Sequence, residues 1–125
     1  MYKNMIETNV FKTRTDMLEV LKSNPGVIIV KYGAEWCGPC KKIEEFVKKN
    51  MELMPTEKVR TIVIDIDDAI DAYAFLKSKK IVNGIPVILA YYKGNASYIP
   101  DDVVIGTNTD EIKAFFDSCY EEAKN

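Results

Sequence analysis

The chain contains no histidine. That absence removes Cys–His and Ser–His–Asp nucleophile arrangements and every imidazole-based metal site, leaving cysteine, carboxylate and lysine to carry any chemistry. Cysteine is also scarce: three in 125 residues are too few for the disulfide scaffold of a small extracellular domain. No apolar run approaches the roughly 18 residues of a membrane span, and Met1-Tyr2-Lys3-Asn4-Met5 lacks the apolar core and cleavage site of a signal peptide. A net charge of −2 makes no case for nucleic acid or an anionic membrane as partner. There is no repeat, low-complexity tract or linker, so residues 1–125 read as one domain. With 47% hydrophobic and 29% charged residues, the chain is expected to fold as an ordinary globular protein in a reducing, cytoplasmic setting.

Two of the three cysteines stand together in Trp36-Cys37-Gly38-Pro39-Cys40, where an apolar run gives way to a helical pattern. Val27-Ile28-Ile29-Val30 reads as a buried strand, and Ile43, Phe46, Val47, Met51 and Met54 recur at helical spacing. Thiols so close in sequence can close a disulfide with little backbone movement. At a helix N-terminus the first of them meets unpaired N–H groups and the positive end of the helix dipole, which favour the reactive thiolate. Pro39 falls in the first turn, where no N–H is needed. Cys40, Ile43 and Val47 share one face, the buried one. The stretch therefore reads as a dithiol–disulfide redox site. Zinc is the rival, but two thiolates without histidine or a second CxxC fall short of a closed four-ligand site, so no metal is expected.

The remaining elements follow in order. Met5 to Thr8 is a candidate short strand, and Thr15-Asp16 is expected to cap a helix carrying Met17, Leu18 and Leu21. After the strand from Val27 to Tyr32, the CxxC helix should run to about Met54. Val59 to Ile66 alternates as a strand, and Asp67-Asp68 should start a helix with Ile70, Tyr73, Ala74 and Leu76 inward and Lys77, Lys79 and Lys80 at its end. Val87 to Tyr92 and a strand near Val103 to Ile105 form a hairpin, in which Pro100 marks an edge and Asn95-Ala96-Ser97 a turn. Asn108 caps a last helix whose apolar face is Ile112, Phe115, Phe116, Cys119 and Tyr120, making Cys119 a core cysteine. Asp65 and Asp67 read as turn and cap residues, with Asp65 a possible carboxylate toward Cys40. This alternation predicts an α/β protein with a central mixed sheet flanked by helices on both faces.

Ala34-Glu35-Trp36-Cys37-Gly38-Pro39-Cys40-Lys41 resembles the active-site motif of the thioredoxin family. Gly84-Ile85-Pro86 stands where that family places a cis-proline beside the disulfide, and Val104-Ile105-Gly106 resembles its glycine-containing loop. The order of elements fits over nearly the whole chain. The resemblance implies the thioredoxin fold and dithiol–disulfide exchange, in which Cys37, exposed at the helix tip, attacks and Cys40, one turn inward, resolves. It implies that Trp36, Ile85, Pro86 and Gly106 dock the substrate and that Trp36, Gly38, Pro39 and Lys31 shape the site. No cofactor is expected beyond the redox-active Cys37–Cys40 disulfide. The implied partners are disulfide-containing proteins and an NADPH-dependent, thioredoxin-reductase-type donor, with the chain acting as a monomer.

Three positions depart from the family pattern. Lys31 occupies the place of a buried aspartate, and either stabilises a cysteine thiolate or reaches water near the strand end. Gly33 replaces a tryptophan that commonly packs behind the site, and Glu45 replaces a helix-kinking proline. The leading function is protein-disulfide reduction. The alternatives are a binding or chaperone-like module with incidental redox activity, and an oxidase- or isomerase-type member.

Overall fold

The computed structural model describes residues 3–125; Met1 and Tyr2, which open the stretch read for a signal peptide, lie outside the described residues. The Val- and Ile-rich run Val27–Gly33 (β2) is buried along its whole length, as a strand covered on both faces must be. It is the middle strand of five: β1 (Glu7–Thr8), β3 (Val59–Asp65), β2, β4 (Val87–Tyr92) and β5 (Asp102–Ile105), in that order across the sheet. β3 pairs in parallel with β1 and β2, while β4 runs antiparallel to β2 and β5. The mixed sheet expected from the sequence is therefore present, with β5 at an edge and Pro100 just before it.

Alternation along β2 assigns the two cores. Ile28, Val30 and Tyr32 pack with Met17 and Leu21 of α1 (Arg14–Lys22) and Leu76 of α3 (Ile70–Ser78). Val27 and Ile29 pack with Ile43 and Val47 of α2 (Gly38–Glu52) and Ile112 and Phe116 of α4 (Thr109–Ala123). Lys31 and Gly33 continue this second set of positions, so a lysine and a glycine occupy the face beneath α2.

Several local expectations shift. Thr13, not Thr15-Asp16, caps α1, its hydroxyl accepting the Asp16 N–H at 3.1 Å. Asp67 and Asp68 form a turn before α3, because Asp65 Oδ1 accepts the Asp67 N–H at 2.8 Å; the helix starts at Ile70 with no side-chain cap. The inward residues of α3 are Ala72, Tyr73 and Leu76, whereas Ile70 and Ala74 are exposed. In α4, Asn108 caps as expected by accepting the Glu111 N–H at 3.1 Å. Tyr120 is exposed, and Ala123 takes the innermost place in the last turn. Asn95 forms the expected turn, its Oδ1 accepting the Ser97 N–H at 2.8 Å.

Candidate active site

The site forms where the chain leaves β2 and enters α2. The Cys37 N–H donates to the Ala34 carbonyl at 3.1 Å, turning the chain, and Cys37 becomes the N-cap of α2. Its sulfur accepts the Cys40 N–H at 3.2 Å, satisfying one of the helix's otherwise unpaired donors. Pro39 sits in the first turn, as its missing N–H allows. Cys37 and Cys40 are joined in a disulfide, with Cα atoms 5.3 Å apart.

The two cysteines are covered almost equally, at 5% and 4% exposure, so Cys37 is not the exposed member expected from sequence. The disulfide and the Cys40 N–H both draw its sulfur back against the first turn. Their surroundings differ instead. Cys40 leans toward β2, where a Cβ added at Gly33 would stand 3.5 Å from its sulfur.

The expected docking residues gather at the same end of the sheet. The β2–β4 register pairs Tyr32 with Val87, bringing the adjoining Gly33 and Pro86 to one end. The Ile85–Pro86 bond is cis, and the Pro86 carbonyl accepts the Gly106 N–H at 3.1 Å. Gly106 has φ +90°, a conformation open to glycine. Trp36 is 67% exposed, and its indole N–H donates to Asp67 Oδ2 at 2.9 Å. Asp67 was read only as a turn or cap residue. Its contact with Trp36 crosses 31 positions in sequence and arises because the loops after parallel neighbours β2 and β3 abut.

Lys31 lies two residues before the end of β2, and its amine opens onto a cavity beside the site. It stands between Val63 of β3 and Ile88 of β4 and is 6% exposed, with no hydrogen bond or ion pair among the described residues. Its side chain borders a cavity of about 490 Å³ shared with Gly33, Cys40, Glu44, Val47 and Asp65. Burial lowers its pKa from the ordinary 10.5, and the Glu44 carboxylate opposes that shift. Asp65 thus reaches the same cavity as Cys40, while one of its oxygens serves the Asp67 turn. Among the described residues no group of three or more His, Cys, Asp or Glu side chains is placed to hold a metal.

Cys119 is a buried free cysteine in the α2–α4 core, as its helical position predicted. Burial pushes its thiol up to about 12, and the charges of Asp102 and Glu122 act in the same direction. No described helix is long and apolar enough to cross a membrane.

Compared with known proteins, residues 9–118 match the family model described as Thioredoxin. Thioredoxin 3 of Plasmodium falciparum is 32% identical over 98 residues, spanning 78% of this chain and 51% of that protein. The chain thus aligns with about half the length of that relative. Putative thioredoxin-4 of Dictyostelium discoideum is 30% identical over 111 residues, spanning 89% of this chain and 94% of its own length. Among solved structures, Trichomonas vaginalis thioredoxin superposes with a TM-score of 0.71 at 25% identity, over 90% of this chain and 96% of that one. A Malassezia sympodialis thioredoxin gives the same TM-score of 0.71 at 17% identity, over 96% and 95% of the two chains.

Proposed function

The chain belongs to the thioredoxin family; on that premise we propose that it is a thiol–disulfide oxidoreductase that runs in the reducing direction, as a protein-disulfide reductase. The observation that carries this reading is the Cys37–Cys40 pair at the N-terminus of α2, with exposed Trp36 on one side and the Pro86–Gly106 contact at the same end of the sheet. In the dithiol form, the Cys37 thiolate is stabilised by the helix dipole and the Cys40 N–H. It attacks one sulfur of a substrate disulfide, forming a mixed disulfide and expelling the first substrate thiolate. The Cys40 thiolate then attacks the Cys37 sulfur, closing the Cys37–Cys40 bond and releasing the second substrate thiolate. Two electrons pass from the pair to the substrate.

Trp36, Ile85, Pro86 and Gly106 serve as the docking surface, and Gly38 and Pro39 hold the two sulfurs in one turn. Lys31 acts as a positioning residue: its amine, in the cavity that Cys40 borders, favours the Cys40 thiolate needed for resolution. The oxidised pair is recharged by an NADPH-dependent, thioredoxin-reductase-type donor. The protein acts as a monomer in the cytoplasm, with no bound cofactor and no nucleic-acid or membrane partner.

The test is dithiothreitol-driven reduction of a model protein disulfide by wild type, Cys37→Ser and Cys40→Ser. Wild type is expected to accelerate the reaction, Cys37→Ser to lose the acceleration, and Cys40→Ser to accumulate a mixed disulfide on Cys37. A wild type no faster than Cys37→Ser replaces the reductase with the binding-module reading. Lys31 favours one other alternative, since a cation beside the pair stabilises the dithiol form and makes it a weaker reductant. A potential near about −270 mV supports the reductase, and one near about −120 mV supports an oxidase-type member.

A further inference from the structure

The cavity behind the disulfide has features that reduction of protein disulfides at Cys37 does not use. Its volume of about 490 Å³ falls within the roughly 300–1,000 Å³ of small-ligand sites. Cys40 borders it and Cys37 does not. Lys31 is more than nine-tenths buried and has no partner among the described residues. Its amine is nevertheless not sealed off, since no fully enclosed side-chain nitrogen or oxygen among the described residues lacks a hydrogen bond. The Glu44 carboxylate acts on Lys31 only coulombically and makes no ion pair with it; a largely buried amine without a hydrogen-bonded partner is costly, so the wall offers a place for an anion. Glu35 and Glu44, on the rim, are exposed and make no hydrogen bond or ion pair among the described residues, so the rim offers places for a cation. Gly33 leaves the space beside the Cys40 sulfur unfilled.

We propose that this cavity binds a low-molecular-weight zwitterionic thiol, of the class of free cysteine or a short cysteine peptide, and presents its sulfur to Cys40. The carboxylate pairs with Lys31 and the ammonium with Glu35 or Glu44. A thiolate attacks a disulfide in line with the bond it breaks, so expelling Cys37 requires a nucleophile on the Cys40 side, where the cavity lies. The small thiolate bonds to the Cys40 sulfur, and the Cys37 sulfur leaves as thiolate. A second small thiolate attacks the first one's sulfur, releasing a small-molecule disulfide and the Cys40 thiolate. Two small thiols are thereby oxidised and the Cys37–Cys40 bond reduced, a second recharging route that rests on the turnover of this pair.

The test follows reduction of the oxidised full chain through Trp36 fluorescence, using L-cysteine, cysteamine (no carboxylate) and 2-mercaptoethanol (neither charge), with rates expressed per thiolate. L-cysteine is expected to exceed the other two by about tenfold, the discrimination one buried charge-assisted contact supplies. Lys31→Met should abolish that ratio, and any general effect of the substitution on the disulfide cancels within it. Gly33→Leu, which fills the space beside Cys40, should abolish it as well. Equal rates in wild type, or a preference that survives Lys31→Met, overturn the proposal. Cystine should also modify Cys40 in Cys37→Ser, read by peptide mass, and failure to do so overturns the attack on Cys40. Protein-disulfide reduction driven by dithiothreitol is read separately. Its loss strikes the reductase reading, whereas loss of the cysteine preference strikes only this one.

Discussion

Lys31 stands within β2 with its amine at a cavity and no ion pair among the described residues, so burial favours the neutral amine against the opposing charge of Glu44. Its folded pKa therefore lies below the ordinary 10.5, and the unfolded chain binds the proton more tightly. Where the unfolded state holds more protons, stability rises with pH. The penalty is thus complete below the folded pKa and fades as pH rises from there toward 10.5. Lys31→Met is expected to be more stable than wild type near neutral pH by on the order of 1 kcal/mol. Urea midpoints measured from about pH 7 to about pH 10 should show that difference shrinking. A difference that stays constant over the series removes charge as its cause.

Asp67 is the second residue whose meaning comes from its contact. It accepts the Trp36 indole N–H while the ring is largely exposed, so it fixes the orientation of an otherwise loosely held side chain. Asp67→Ala is expected to lower kcat/KM for protein disulfides about fivefold, equivalent to about 1 kcal/mol for one hydrogen bond. Trp36 emission should shift in the same variant. Unchanged kinetics together with unchanged emission would show that the bond does not order the ring.

At the scale of elements, α2 and α4 cover the sheet face that holds Lys31, and each begins with a side-chain cap. In α2 the cap is the sulfur of Cys37 itself, so capping of the helix start and redox chemistry share one atom. In α4 the cap is Asn108, which makes no contact with the sulfurs and whose role is stability. Asn108→Ala is expected to cost about 1 kcal/mol in chemical unfolding while leaving the protein-disulfide reduction rate unchanged. A change in that rate would connect the start of α4 to the site through the short run from Gly106 to Asn108.

Across the whole molecule, order should decline from β2 outward. β2 is buried throughout and paired on both sides, whereas β1 spans two residues and β5 is an edge strand. Native-state hydrogen exchange is expected to be slowest in β2, at the level of global unfolding. Amides of β1 and β5 should exchange at least about tenfold faster through local opening. Comparable protection in β1 and β2 would contradict a sheet stabilised from its centre.

The sequence by itself determined what depends on neighbours within a few residues. The continuous apolar run of β2, the alternation of β3, the helical recurrence of Ile43, Val47 and Met51, the Asn108 cap and the CxxC spacing are local signals, and each appears in the structure. The α/β order, the redox pair and the burial of Cys119 were therefore legible. The start of α3, the cover over Cys37, the Trp36–Asp67 bond and the isolation of Lys31 were not. Periodicity says which face of an element turns inward but not what meets it there. Lys31 is desolvated because β3 and β4 flank it, and Asp67 reaches Trp36 because two parallel strands end side by side. Gly33 borders a cavity only because Cys40 and α2 lie across from it. The chemistry of the site comes from spacing along the chain; its charge and its cavity come from strands far apart in sequence that the tertiary fold brings together.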